Sequence, residues 1–329
     1  MSRMQRTIVM ACLCVGALMV LPVAQAKTLL VCPSCVYTTI QSAVDASNPG
    51  DTVSVQAGSY SENVTVSTPS ITLKGQKPMG SVLLDCPSSG TGVGILVSSS
   101  GVTIKGFEIE GCEIGVEASL NPDFTLAEVR SMAHLSKGGN PAAVARAQAR
   151  QATKHATSDQ NTVISDNTFE ENAIGVLLAE TGDCIVSGND FFANTEAGIY
   201  TFYTFTDSIS GNTIEGIASS SAPENVGIGI VYGQQESVKS NTVRYANYLG
   251  IGEQYTYSST FSANRTFRNA VGLWSFTPSA NNTFSKNDSD ANQFWDCEDD
   301  TVGSKSKGTA NTWTGNVGDT SEPPGLCKP

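Results

Sequence analysis

Three carboxylates stand at nearly equivalent places along the chain. Asp207 and Glu236 each precede an asparagine, Asn212 and Asn241, by five residues, and Asp183 sits one stretch earlier, shifted by a single position. If those stretches stack as neighbouring strands, at about 4.8 Å, the carboxyl groups come to lie roughly 5 Å apart, near the separation that retaining glycosidases use. Close acids raise one another's pKa, which suits acid/base cleavage. The same groups could equally bind Ca²⁺ or serve as solvated turn residues. A second set is aromatic: Tyr200, Phe202, Tyr232, Tyr255 and Trp274. If alternation holds they point outward, in register, as flat platforms on which sugar rings could lie. Cross-rung stacking that merely steadies the strands is the competing use. Glu253 is odd, because alternation places it in the inward slot shared by Leu178 and Ile230. An unpaired buried carboxylate is costly, so Glu253 is either turned away by a local bulge, the expected case, or functional.

Other chemistries find no support. The two histidines, His134 and His155, lie together in a segment apart from these residues, and no Ser-His-Asp set, zinc cluster or phosphate loop stands out. Cys32-Pro-Ser-Cys35 lacks a second pair or a nearby histidine to complete a zinc site, so a local disulfide or free thiols are expected there. No resident metal or cofactor is assigned. "DCEDDT" near Asp296 has no calcium-loop spacing and reads as surface and lid, not as a metal site.

What must position these residues is a repeat. One asparagine column runs Asn167, Asn189, Asn212, Asn241, Asn264, Asn287, and a second runs Asn172, Asn194, Asn225, Asn247, Asn269, Asn292. A glycine column runs Gly175, Gly198, Gly227, Gly250, Gly272. The spacing is 22 or 23 residues, and all three columns lengthen at one place, "GIASSSAPEN". Between the marks, segments of three to five residues alternate apolar and polar, as half-buried strands do. Ile164, Val186, Ile209, Val238, Phe261 and Phe284 fall three before the first asparagine, and Val176, Ile199, Ile228, Ile251 and Leu273 just after the glycine. The physical solution is a coil of short parallel strands with apolar side chains inside. Asparagine at the corners would tolerate the left-handed conformation of the bend and bond the amide one turn away.

A stack has two raw ends that need covers. At the first, Thr38-x-x-Gln41 fits a capping box, and Ile40, Ala43 and Val44 form one apolar helical stripe. At the far end, residues 297–329 look like a proline-rich lid tied by Cys297 and Cys327; Cys86 with Cys112 is the next expected pair, and Cys184 a packed core residue. Residues 120–160 break the rhythm and read as a helical insertion, its second helix opening at Asn140-Pro141.

The opening "TIQSAVDA", "PGDTV" and "GSYSENV", followed by Asn/Gly rungs, resembles right-handed parallel β-helix proteins of the pectin-lyase-like superfamily. The resemblance implies an all-β, right-handed, single-stranded parallel β-helix (a solenoid) over residues 27–329, with an N-terminal cap and first strands over 27–75. That superfamily holds polysaccharide lyases, hydrolases, esterases and epimerases, and also non-catalytic exported proteins, including periplasmic factors for copper-site assembly. "GSYSEN" is similar to the early part of pectin methylesterases, but their later aspartate and arginine motifs have no match here. The paired aspartates and Gly-His-Gly of polygalacturonases are missing too.

Residues 1–26 have a charged start, an apolar run and Ala24-Gln25-Ala26, as a secretory signal peptide requires. Its loss takes Arg3 and Arg6 and moves the formal charge from −12 to −14. So acidic a chain is repelled by nucleic acid and anionic membrane surfaces. A secreted or periplasmic monomer with no membrane span after cleavage is expected. Two functions follow: binding or processing a carbohydrate along the outer face, by a lyase- or hydrolase-like reaction if catalytic, or a non-catalytic binding or scaffold role in the envelope.

Overall fold

The computed structural model describes residues 25–87, 92–119, 160–216 and 225–329. The expected signal peptide up to residue 24, and the insertion up to residue 159, lie outside them. Within them the chain winds as a right-handed parallel β-helix whose three sheets, of 11, 10 and 9 strands, run along the coil. Each turn adds one strand to each sheet, and the pairing register follows the sequence columns. Val163, Ile185, Ser208, Ser237, Thr260, Thr283 and Thr312 are successive partners in the 11-stranded sheet.

The interior is what the alternation requires. Ile104, Ile164, Val186, Ile209, Val238, Phe261, Phe284 and Trp313 lie directly over one another and are buried. Full burial of one such side chain is worth roughly 1.5–3 kcal/mol. The rings of Phe261, Phe284 and Trp313 stack at 4.6 and 4.0 Å.

The asparagine column is a continuous hydrogen-bonded ladder. Asn189 Oδ1 accepts from both the backbone N–H and the side-chain amide of Asn167, at 3.0 and 3.1 Å. Asn212 Oδ1 does the same for Asn189, and the pattern continues through Asn241, Asn264 and Asn287 to Asn316. These asparagines are buried and point inward. The left-handed bend falls one residue earlier than expected, on Asp166, Gly188, Gly211, Ser240, Ala263, Lys286 and Gly315, with φ between 52° and 64°. The corner therefore divides two tasks: one residue supplies the turn, and asparagine pairs the backbone that the turn leaves inside.

The repeated glycine has a different cause. A Cβ on Gly175 would stand 2.6 Å from the Phe191 ring and 2.8 Å from the carbonyl oxygen of Gly198 in the next turn. Close approach of backbone and ring, not a positive φ, demands glycine here.

At the N-terminal end, helix Ile40–Asp45 turns Ile40, Ala43 and Val44 into the core. Its N-cap is Thr39, whose hydroxyl accepts from Ser42 N–H, so the expected box from Thr38 to Gln41 is displaced by one residue. Gln41 instead exchanges bonds with the backbone of Thr65, and Glu62 from "GSYSEN" accepts the N–H groups of Ile40 and Gln41 at 2.7 and 3.0 Å. At the other end the Cys297–Cys327 disulfide holds the tail, where Val317 bridges Lys328. Cys86–Cys112 and Cys32–Cys35 are also bonded, and Cys184 is free and buried.

The 10-stranded sheet departs from simple alternation. Its strands Ile114–Ser119, Ile174–Ala179, Ala197–Phe202, Val226–Val231 and Leu249–Gln254 are buried at every residue. Both faces of this sheet are covered, as parallel sheets commonly are. A second apolar cluster, distinct from the coil interior, lies on the outer side.

Candidate functional site: buried carboxylates and a covered aromatic face

The structure sets Asp183 apart from Asp207 and Glu236, which it keeps as neighbours. Asp183 is exposed on a left-handed corner at φ 57°, and its Oδ1 accepts from the Thr206 hydroxyl at 2.7 Å. Asp207 and Glu236 lie inside the coil, 0% and 2% exposed. They belong to a third ladder that continues through Ser259, Asn282 and Asn311. Cys184 N–H donates to Asp207 Oδ1 at 2.8 Å, and Asp207 N–H donates to Glu236 Oε2 at 2.9 Å. Glu236 N–H then donates to Ser259 Oγ, Ser259 N–H to Asn282 Oδ1, and Asn282 N–H to Asn311 Oδ1. The remaining carboxyl oxygens accept hydroxyls: Thr181 on Asp207 at 3.2 Å and Thr204 on Glu236 at 2.9 Å. Each carboxyl thus does for its turn what an asparagine does elsewhere.

Burial dominates their protonation. Desolvation pushes Asp207 up to about 7, and the bonds from Cys184 and Thr181 only partly offset it. Glu236 is held well above the ordinary carboxylate range by burial and by Asp207. Raised acids alone would suit acid/base chemistry, but a general acid must reach the group it protonates. Every oxygen of this pair is engaged by the coil's own backbone and threonines, out of reach of a saccharide.

Glu253 extends the polar interior. It pairs in register with Ile230 on one side and Ser275 on the other, so the expected bulge does not form. Its Oε1 accepts from the Ser275 hydroxyl and from Asn282 Nδ2, while Oε2 has no hydrogen-bond partner. Burial raises this carboxyl to about 8. Next in the column after Ser275 is Asp299, whose Oδ2 accepts from Trp313 Nε1 at 2.7 Å and Asn311 Nδ2 at 3.2 Å. For Glu253 the cost of burial is met by favouring the neutral form and by the Ser275 hydroxyl and Asn282 amide on Oε1. Asp299, expected at the surface with the rest of "DCEDDT", is instead 4% exposed, and Asp296 and Glu298 are buried with it; Trp313 and Asn311 were not singled out from sequence. Stepping five residues back from Asn287 and Asn316 reaches Asn282 and Asn311, and that spacing would have exposed the third ladder.

The expected open aromatic platform is corrected by burial. Phe202 is fully buried and Tyr200, Tyr232 and Tyr255 are 5%, 4% and 7% exposed, leaving only Trp274 half-buried. The rings lie along the sheet instead of standing off it. A Cβ on Gly229 would meet Cε1 of Tyr200 at 2.2 Å, so the Tyr200 ring rests on the bare backbone of the next turn. Tyr203, Tyr232 and Tyr255 stack at 4.7 and 4.6 Å, and Trp274 stacks on Phe276 at 4.1 Å. Cross-rung stacking, the competing use, is what these contacts provide. In the same outward column Glu117 is 7% exposed, and desolvation raises it to about 7.

Metal donors are scattered. Among the described residues no group of three or more His, Cys, Asp or Glu could hold a metal ion. Six cysteines are paired, and burial pushes the free Cys184 thiol well up, away from the thiolate a soft metal needs. No helix among the described residues is long and apolar enough to cross a membrane.

Comparison with known proteins places this geometry in context. Residues 129–317 match the family model described as "Periplasmic copper-binding protein (NosD)". No curated protein matches the sequence significantly. Among solved structures, the alginate lyase from Paenibacillus sp. str. FPU-7 is similar at 16% identity and a TM-score of 0.59, covering 90% of this chain and 99% of that one. The enzymatically active domain of bacteriophage CBA120 tailspike protein 2 is similar at 10% identity and a TM-score of 0.57, and the match spans 86% of this chain but 39% of the tailspike chain. The GH136 lacto-N-biosidase from Eubacterium ramulus is similar at 9% identity and a TM-score of 0.52, over 90% of this chain and 67% of that one. At these identities the likeness is one of fold, the right-handed β-helix that the opening residues resemble.

Proposed function

Because the chain belongs to the NosD family of periplasmic β-helix proteins, we propose that it is an extracytoplasmic binding module that holds a carbohydrate on its surface without cleaving it. The observation that carries this reading is the enclosure of Asp207 and Glu236: both carboxyls are buried and bonded into the corner ladder. Their place in the coil supports binding over processing. The names of two fold neighbours, an alginate lyase and a lacto-N-biosidase, support a saccharide as the ligand class. Three disulfides agree with an extracytoplasmic location.

The family description also names copper. The described residues do not fit such a site: copper favours thiolate, thioether or imidazole ligands, and here the cysteines are paired or buried with the thiol protonated. His134 and His155 lie outside the described residues. No step is derived through the metal.

The test is a panel of neutral and acidic glycans incubated with the mature chain, with and without Ca²⁺, and assayed for new reducing ends, unsaturated products and binding. Binding without either product is the expected result. Turnover of any glycan in the panel would overturn the proposal, and its loss in Asp207→Asn or Glu236→Gln would return those acids to a catalytic role.

A further inference from the structure

Of the three disulfides, Cys32–Cys35 is the one the fold needs least. It closes a short loop at the N-terminal end of the coil, directly after the edge strand Thr28–Val31 of the 11-stranded sheet. The other two join cysteines 26 and 30 residues apart and so hold separate stretches of the coil together. The backbone already fixes the short loop. Cys35 N–H donates to Cys32 O and Cys32 N–H to Tyr37 O, each at 3.1 Å, and Val31 pairs with Tyr37. Stabilisation by a cross-link shrinks with the loop it closes, so this bond adds the least of the three.

The bond is also open on one side. Cys32 is 6% exposed and the four cysteines of the other two bonds are between 0% and 5% exposed, whereas Cys35 is only half-buried. Pro33, Ser34 and Val36 are exposed around it. A thiolate from solution therefore reaches Cys35 Sγ more readily than any other bonded sulfur. The inner sulfur, in turn, is placed to leave. A bonded cysteine carries no S–H, so the 3.7 Å contact between Cys32 Sγ and Ser34 Oγ is a hydrogen bond donated by the serine. The same hydroxyl would stabilise a thiolate on Cys32, and a leaving sulfur of lowered pKa departs faster.

We propose that Cys32-Pro-Ser-Cys35 is a thiol–disulfide exchange site whose reactant is a dithiol. One thiolate of the reactant attacks Cys35 Sγ. The Cys32–Cys35 bond breaks, and its electron pair leaves on Cys32 Sγ, which takes a proton from water. The second thiolate of the reactant then attacks its partner sulfur in the mixed disulfide, and Cys35 leaves and is protonated in turn. The dithiol loses two electrons and becomes a disulfide, while Cys32 and Cys35 become thiols. Nothing in this step depends on the carbohydrate-binding reading.

The test treats the folded protein with dithiothreitol or with reduced thioredoxin at equal dithiol concentration, quenches by alkylation and maps the cysteines by mass spectrometry. The two donors separate a small reactant from a protein one. Cys32 and Cys35 should be alkylated at least about tenfold faster than Cys86, Cys112, Cys297 and Cys327. The unfolding midpoint should fall by less than about 5 °C once they are reduced. Ser34→Ala should slow the reduction about threefold and leave the midpoint of the oxidised protein unchanged. Cys32→Ser, which frees Cys35, should react with dithionitrobenzoate at least about tenfold faster than Cys35→Ser, which frees the buried Cys32. Reduction by neither donor short of unfolding, or loss of all three bonds together, would mean a structural staple and overturn the proposal. Equal reactivity of the two serine variants would overturn the direction of attack.

Discussion

Asn189 and Asp207 occupy different corners but receive the same kind of guest, the backbone N–H of the turn before. Asn189 also spends its amide on Ile164 O and Asn212 Oδ1, so all of its polar capacity is used inside the coil. Asn189→Ala should strand buried donors on Asn167 and cost roughly 2–4 kcal/mol, measured by urea unfolding. The acids differ in carrying protons. Glu253 sits at about 8 when folded against about 4.5 when unfolded, so the native state keeps a proton that the unfolded chain releases. Its contribution to stability is fully present below about pH 4.5 and is lost as pH rises toward 8. Wild type should therefore melt lower at pH 8 than at pH 5.5, and Glu253→Gln should flatten that slope in calorimetry. The sequence columns made Glu253 visible as an anomaly. They gave no sign of the hydroxyls and amides from distant turns that make its inward position tenable, because Ser275 and Asn282 look like ordinary rung residues until the register is known.

At the level of elements, the 10-stranded sheet shows how far alternation can be trusted. Inward residues such as Ile199 and Ile228 were identified from the pattern alone, because one face of every strand must fill the coil. The opposite face reads as open from sequence, since period two marks the sides of a strand but not what covers them. Tyr200 lies flat because Gly229 offers no side chain beneath it. Gly229→Ala should lift that ring, cost about 1–3 kcal/mol and change the near-ultraviolet circular dichroism of the tyrosines. The cap illustrates a smaller limit: the helix Ile40–Asp45 was legible from its stripe, but Glu62, which satisfies its first N–H groups, is remote in sequence.

Over the whole molecule, the period of 22 or 23 residues carried the architecture, since a residue and its successor one turn later had to be vertical neighbours, as Asn189 and Asn212 are. The C-terminal end was not legible in the same way. Trp313 prolongs a column seen from sequence, yet Leu326 and Cys327 of the tail join its core cluster at a place the column does not predict. A solenoid that buries Asp207 and Glu236 in its corner ladder is better suited to holding a ligand than to cutting one with them. That view depends on Asp207 and Glu236 being corner residues whose charged forms burial disfavours. The most direct test is the unfolding free energy of the Asp207→Asn, Glu236→Gln double variant at pH 8. Amides keep the acceptors for Cys184 and Asp207 N–H without the desolvated charge, so the variant should be more stable than wild type by about 1–3 kcal/mol. A double variant that is less stable than wild type at pH 8 would contradict the account.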